Sequence, residues 1–198
     1  MKYNNFNEIR NILFNSSVGI AGLGGLGSNA AVSLARAGIG RLVLIDFDII
    51  EEENLSRQYY FLDQIGKSKV EAIEENIKRI NPEIELELHK LELKKGSMSE
   101  LFSNVDVIIE ALDDAKIKTE FIEEILLTLP NKSIVSASGV TGYGNSDRLE
   151  TKKLGKLYLC YDAKALSSED DMLYAPRVCL IANWEANLAI EILLDESQ

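Results

Sequence analysis

Six residues, Gly22-Leu23-Gly24-Gly25-Leu26-Gly27, separate a short apolar run, Ser17–Ala21, from a segment in which Ala31, Leu34, Ala35 and Gly38 recur at helical spacing. Glycines at this spacing permit a tight turn, a close approach of the backbone to a phosphate, and close packing of a helix on a strand, while the amides at the helix N-terminus face the anion. The expected local unit is strand, turn, helix. Taken alone the pattern also fits a tight turn that binds nothing, so its weight depends on the residues downstream.

Downstream of the glycines, strands alternate with helices. Arg41–Asp46 is a nearly continuous apolar run ending in an acid, as expected of a parallel strand covered on both faces. Between Ser68 and Ile80, Val70, Ile73, Ile77 and Ile80 share one helix face, and Asn81-Pro82 ends it. Strands are expected over Ile84–Leu88, Val105–Ala111 and Ser133–Ala137, with an amphipathic helix over Ile117–Leu129. This rhythm implies α/β architecture, a mainly parallel sheet with helices on both faces. The last third changes character. Ser138–Gly144 is rich in turn residues, candidate strands at Arg148–Thr151 and Lys156–Tyr161 suggest antiparallel additions, and Ala163–Tyr174 reads as a mobile surface loop. Pro176 then opens a long apolar helix over Arg177–Leu194. No repeat or linker divides residues 1–198, so one domain is expected.

The polar residues narrow the chemistry. Asp46 lies about 20 residues past the glycine loop, at the end of the next strand, where it can accept hydrogen bonds from ribose hydroxyls or cap the following turn, a role for which Asp48 competes. Asn54, Arg57 and Gln58 follow on the next loop, Lys69 opens the next helix, and Asp113 ends a later strand. All would lie at the carboxyl edge of the sheet, where open α/β folds bind ligands. Two cations beside a phosphate loop suit a triphosphate better than the pyrophosphate of a redox cofactor. A carboxylate in the same crevice would repel phosphate unless it held a divalent metal, so Asp113 reads as a magnesium ligand, with Asp114 the better-placed helix cap. Alternatively, Lys69 is a solvated helix residue, Arg57 pairs with Glu51, Glu52 or Glu53, and Asp113 is itself the cap.

Composition excludes several classes. A formal charge of −11 and a pI near 4.7 oppose nucleic-acid binding. No apolar run approaches the roughly 18 residues of a spanning helix and the first residues lack a signal-peptide core, so no membrane and a cytoplasmic location are expected. Cys160 and Cys179 form no Cys-x-x-Cys pair, so no zinc is expected; both read as buried small residues. His89, directly after a predicted strand, reads as a surface residue.

Gly22–Gly27, Leu44-Ile45-Asp46-Phe47-Asp48, Asn54-Leu55-Ser56-Arg57-Gln58, Gly66-Lys67-Ser68-Lys69, Arg79-Ile80-Asn81-Pro82 and Ala111-Leu112-Asp113-Asp114 together resemble the ThiF/MoeB/HesA family, bacterial relatives of ubiquitin-activating enzymes. Leu173–Val178 resembles the family segment after its crossover loop, and the small size is most similar to the short ThiF subfamily. The resemblance implies a Rossmann-like adenylyltransferase domain over residues 1–198 that uses ATP and Mg2+ to adenylate the C-terminal glycine of a ubiquitin-like sulfur carrier (ThiS-like), releasing pyrophosphate, in thiamine (thiazole) biosynthesis. It also implies that Gly22, Gly24, Gly25 and Gly27 cradle the phosphates, that Asp46 holds the ribose, and that Arg57 and Lys69 hold the phosphates. Asn54 and Gln58 would contact the nucleotide or its leaving group, and Asp113 would hold magnesium. The family forms homodimers, and the apolar Val178–Leu194 helix suits either a subunit contact or a central helix.

The chain departs from longer relatives in three ways. It lacks their two Cys-x-x-Cys pairs, its 163–174 loop contains no cysteine, and Arg10 is the only candidate for the arginine that a partner subunit's N-terminal segment would supply. Covalent sulfur transfer, with Cys160 as its nearest candidate, is not expected. Two other classes fit part of the pattern. An NAD-dependent oxidoreductase accounts for the glycine loop and Asp46 but not for Asn54, Arg57, Gln58, Lys69 and Asp113; a non-catalytic nucleotide-binding scaffold leaves that set idle. A relative that adenylates a small molecule or modifies tRNA is a third, the tRNA version disfavoured by the acidic charge.

Overall fold

The computed structural model of the protein describes residues 5–165 and 172–196. Seven strands form one sheet: β1 (Ser17–Ala21), β2 (Arg41–Ile45), β3 (Glu85–His89), β4 (Val107–Glu110), β5 (Ser133–Ser138), β6 (Glu150–Leu154) and β7 (Leu157–Tyr161), in the order β3-β2-β1-β4-β5-β7-β6. All neighbours are parallel except β6 and β7. The expected Rossmann-like α/β architecture is present. Strand order reverses between β1 and β4, and the carboxyl ends of these two central strands open a crevice there.

The central strands are buried on both faces because each face is roofed by helices. On one side lie α1 (Phe6–Phe14), α2 (Gly25–Ala37), α3 (Lys69–Lys78) and α5 (Ala175–Glu196), whose Leu34, Ile73, Ile181 and Ala189 pack with Ile20, Leu44 and Ile109 of the strands. On the other side α4 (Ala115–Thr128) and a 3-10 turn at Ser99–Phe102 bring Phe121 against Phe102, ring centroids 5.2 Å apart and edge to face, over Val43 and Ile108. Truncating Phe102, fully buried, to Ala would cost about 3–5 kcal/mol. Asp114 caps α4, its carboxylate accepting from the amides of Lys116 and Ile117 at 2.9 and 2.8 Å, which leaves Asp113 outside the helix.

Three expectations from the sequence need correction, and one helix was not expected at all. Residues 6–14, for which no helix is expected above, form helix α1: Ile9, Ile12 and Leu13 fall at helical spacing, Asn5 caps the helix and Leu13 reaches the core. The strand expected at Arg148–Thr151 begins later. Asn145 adopts φ +49°, Ser146–Arg148 turn as a 3-10 segment, and pairing runs from Glu150 opposite Tyr161 to Leu154 opposite Leu157. Every residue of β6 is exposed, so no apolar alternation marks it. β7, expected as an antiparallel addition, is antiparallel only to β6 and runs parallel to β5. His89 ends β3 instead of following it, and its Nε2 pairs with Glu87 at 2.7 Å. Of the loop expected at 163–174, residues 166–171 lie outside the described residues. Helix α5 is central, packing on α1, α2, β4, β5 and β7. No helix among the described residues is long and apolar enough to cross a membrane.

Candidate functional site

A cleft of about 970 Å³ lies over the carboxyl ends of the parallel strands. Its floor is the glycine loop. Gly22 has φ +91°, and a Cβ there would stand 2.7 Å from the Ala111 carbonyl oxygen, so the loop can approach the β4 end only without a side chain. Gly27 does not line the cleft; a Cβ on it would fall 1.9 Å from the Gly22 carbonyl oxygen, so its role is to let α2 close down on the turn. Helix α2 begins at Gly25 with no side-chain cap, and Gly24, Gly25 and Leu26 line the cleft, leaving first-turn amides for an anion.

Asp46 follows β2 directly and is tightly held. One carboxylate oxygen accepts from the Leu23 amide at 2.6 Å, the other from the Asp48 amide at 2.8 Å. Burial pushes its pKa above the ordinary aspartate value, while Lys69 and the two amides work against that shift. Asp46 thereby ties the second strand to the glycine loop, and the Tyr60 hydroxyl adds a second tie by donating to the Leu23 carbonyl at 2.9 Å. Lys69, 6% exposed, points into the cleft wall and pairs with Asp48 at 2.6 Å.

Arg57 and Gln58 reach the cleft from the loop after β2, and α2 anchors that loop. The Ser28 hydroxyl donates to the Gly24 carbonyl and accepts from the Tyr59 amide, and the Asn29 amide donates to the carbonyls of Gly25 and Arg57. The Arg57 guanidinium meets the Glu53 carbonyl and the Ser56 hydroxyl, each at 3.2 Å, and forms no ion pair with a carboxylate among the described residues. Gln58 Oε1 is buried without a hydrogen-bond partner, an acceptor that a ligand could satisfy. Asn54 is not brought to the cleft. Its side chain accepts from the Glu51 amide at 3.0 Å, capping the 3-10 turn at Glu52–Ser56, so it holds the loop instead of facing the ligand.

Asp113, exposed and lining the cleft just past the end of β4, completes the set of charged residues expected from sequence. Carboxylates outnumber cations around this cleft: Asp46, Asp48, Glu92, Asp113, Asp114 and Asp162 against Arg57, Lys69 and Lys118. Lys69 and Lys118 are already paired with acids. Such a cleft repels a bare triphosphate and accepts one that carries a divalent cation, so the donor set fits magnesium. No group of three or more potential metal-ligating side chains occurs among the described residues.

Sequence reasoning missed several neighbours. Glu110, fully buried, binds Lys118; Asp162 and Arg177, each 4% exposed, pair at 2.7 Å beneath a second arm of the cleft lined by Ala137–Thr141, Ala163, Ala165 and Leu173. Burial pushes Asp162 up, but the Lys164 amide, Arg148 and Arg177 outweigh it and hold the carboxyl low. For Glu110 the available signal was a glutamate closing the apolar run Val107–Ile109. Cys160 is buried, as expected; Cys179 is only half-buried, its thiol 3.5 Å from Asn29 Oδ1. Arg10 is exposed and lies over the Phe6 ring, 5.9 Å from its centroid.

The family model described as "ThiF family" matches residues 6–198. The chain belongs to the ThiF family. Among relatives of this ThiF chain, the ubiquitin-like modifier-activating enzyme 5 of Dictyostelium discoideum is 35% identical over 156 residues, covering 71% of the chain and 39% of the relative. The adenylyltransferase and sulfurtransferase UBA4 of Scheffersomyces stipitis is 30% identical over 158 residues, covering 79% and 35%. The ThiF chain thus spans well under half the length of these relatives. In structure it resembles the tRNA N6-threonylcarbamoyladenosine dehydratase TcdA of E. coli, solved with AMP, at TM-score 0.87 and 20% identity over 96% of this chain and 90% of that one. MccB of E. coli, solved with ATP, gives TM-score 0.73 and 25% identity over 93% and 57%.

Proposed function

We propose that this ThiF-family chain adenylates a carboxylate with ATP, and that its acceptor is the C-terminal glycine of a small ubiquitin-like sulfur carrier, ThiS-like, in the formation of the thiamine thiazole. The observation that carries this reading is the convergence of the uncapped α2 terminus, Arg57, Gln58, Lys69 and Asp113 on one cleft that continues past the small and apolar residues Ala137, Gly139, Val140, Ala163, Ala165 and Leu173, where the acceptor would lie. MccB, which shares this fold, has been solved both with ATP and with an MccA variant, and this supports a peptide acceptor. Residues 1–198 act as one catalytic domain in this reading, in the cytoplasm and as a homodimer.

A C-terminal carboxylate has a pKa of about 3.5 and is ionised at neutral pH, so no general base is needed. Its oxygen attacks the α-phosphorus, the bond from that phosphorus to the bridging oxygen breaks, and pyrophosphate leaves with the electron pair. No proton moves. The α2 amides and Asp46 hold the phosphates and ribose, Gln58 offers its unpartnered oxygen to the nucleotide, and Arg57 and Lys69 neutralise the charge that develops on the departing phosphates. Asp113 would hold Mg2+, which supplies further charge neutralisation on the phosphate oxygens.

ATP/pyrophosphate exchange with magnesium, with and without a ThiS-like protein ending in Gly-Gly, tests the proposal. Carrier-dependent exchange is expected. ATP binding without exchange for any carboxylate acceptor would overturn it in favour of a nucleotide-binding scaffold.

A further inference from the structure

We propose that Lys118 is a positioning residue that, through Glu110, sets the two walls of the cleft relative to each other; the inference rests on the adenylation reading of that cleft. Glu110 is the last residue of β4 and has no exposed surface. One of its oxygens accepts from the Leu112 amide at 2.8 Å, in the turn that carries Asp113. The other accepts from the Ser136 hydroxyl at 2.6 Å and from the Lys118 ammonium. Lys118 reaches over from α4, and its nitrogen also lies 3.3 Å from the Ala137 carbonyl and 3.5 Å from the Ser136 hydroxyl.

A single ion pair therefore grips the backbone of both strands at the point where each leaves the sheet. On the β4 side it fixes the turn leading to Asp113, and on the β5 side it fixes the chain entering Ser138-Gly139-Val140, which lines the acceptor arm. Lys118 lines the cleft too, yet its donors are spent on protein acceptors, so it does not act as a free cation for phosphate. Stability does not explain the arrangement, because a buried ion pair is often no more stabilising than apolar residues of similar volume. Geometry does: a misplacement of about 1 Å at a reacting centre can cost on the order of 100-fold in rate.

The test compares Lys118→Met, Glu110→Gln, the double variant and Lys118→Arg by two readouts. The first is ATP/pyrophosphate exchange, resolved into kcat and KM for ATP. The second is hydrogen–deuterium exchange of the backbone at 111–114 and 137–141 without nucleotide. Each single variant is expected to lose roughly 10- to 100-fold in kcat with KM changed less than about threefold. The double variant should be no worse than the poorer single, and Lys118→Arg should recover most of the rate. Hydrogen exchange should rise in both segments and stay unchanged at Gly22–Gly27. Multiplied losses in the double variant, a KM rise matching the kcat loss, or unaltered hydrogen exchange would overturn the proposal. If Lys118→Met does not fold, Glu110→Gln with wild-type kcat and exchange overturns it alone. A wild-type protein without exchange activity would remove the adenylation reading, while hydrogen exchange would still judge the clamp.

Discussion

The Lys69 ammonium lies 2.6 Å from the Asp48 carboxylate, and the Lys69 amide donates to the Asp48 carbonyl at 3.0 Å, so one aspartate fixes both the start of α3 and the direction of its first side chain. The pair is asymmetric, with the lysine side chain 7% exposed and the aspartate 43%. A phosphate entering the cleft can take the lysine's remaining donors while Asp48 stays solvated on its outer side. Lys69→Ala should therefore lower the exchange rate by about 100-fold, the usual effect of removing one preorganised electrostatic contact, whereas Asp48→Asn should cost less than about 10-fold. Steady-state exchange kinetics of both variants checks this; an equal loss in Asp48→Asn would mean that the aspartate itself, not the lysine, organises the nucleotide.

Asp113 differs from four other acids of the cleft in having no partner assigned by the fold among the described residues: Asp46 accepts from two amides, Asp48 holds Lys69, Asp114 caps α4 and Asp162 holds Arg177. If it is the magnesium ligand, Asp113→Ala should reduce exchange by about 100-fold and raise the Mg2+ concentration giving half-maximal rate, while AMP binding without metal changes little. Titrating Mg2+ at saturating ATP reads the difference. Near-normal turnover with an unchanged metal dependence would exclude the role.

Much of this site is visible in the sequence because backbone geometry at the ends of parallel strands leaves few choices. Gly22, Asp46 and Asp113 each follow a strand whose apolar run is readable, so their meeting at the switch point follows from topology. Asn54 shows where that logic stops. It lies in a motif beside Arg57 and Gln58, but whether a side chain on an irregular loop turns inward as a cap or outward to a ligand depends on local turns that periodicity does not encode. The Glu110–Lys118 pair was hidden for another reason: its partners come from β4, α4 and β5, and only packing brings them together. Strand β6, exposed along its whole length, lacks any apolar patterning, whereas helix α1 does carry a legible stripe, Ile9, Ile12 and Leu13 at helical spacing.

Glu185 on α5 is fully buried, and neither carboxylate oxygen has a hydrogen-bond partner. Burial pushes its pKa well above the ordinary glutamate value of 4.5; Lys118 opposes the shift and Glu110 adds to it. The folded protein holds this proton more tightly than the unfolded chain. Its contribution to stability is therefore complete below the ordinary carboxylate range and is lost as pH rises above it toward the folded value. Glu185→Gln cannot ionise. The melting temperature of the wild-type protein relative to that variant should fall as pH rises from the ordinary glutamate range through neutrality. A parallel pH dependence of the two proteins would show that Glu185 is ionised in the fold.

Cys160 faces the same interior as Glu185. Burial, with the Glu185 carboxyl adding to it, pushes the thiol pKa up to about 12, against a lowering hydrogen bond with Thr151. At pH 8 only about one molecule in 10⁴ would carry the thiolate, the form that attacks sulfur or alkylating agents. Folded protein should therefore resist iodoacetamide at Cys160 while Cys179, half-buried at the start of α5, reacts slowly, and mass spectrometry of the alkylated peptides separates the two. Cys160→Ala should retain adenylation to within about threefold, since it removes a small buried group that does not line the cleft. Rapid labelling of Cys160, or a large loss of carrier activation in Cys160→Ala, would instead place a reactive sulfur in the reaction and make the chain a sulfur-transfer enzyme as well as an adenylating one.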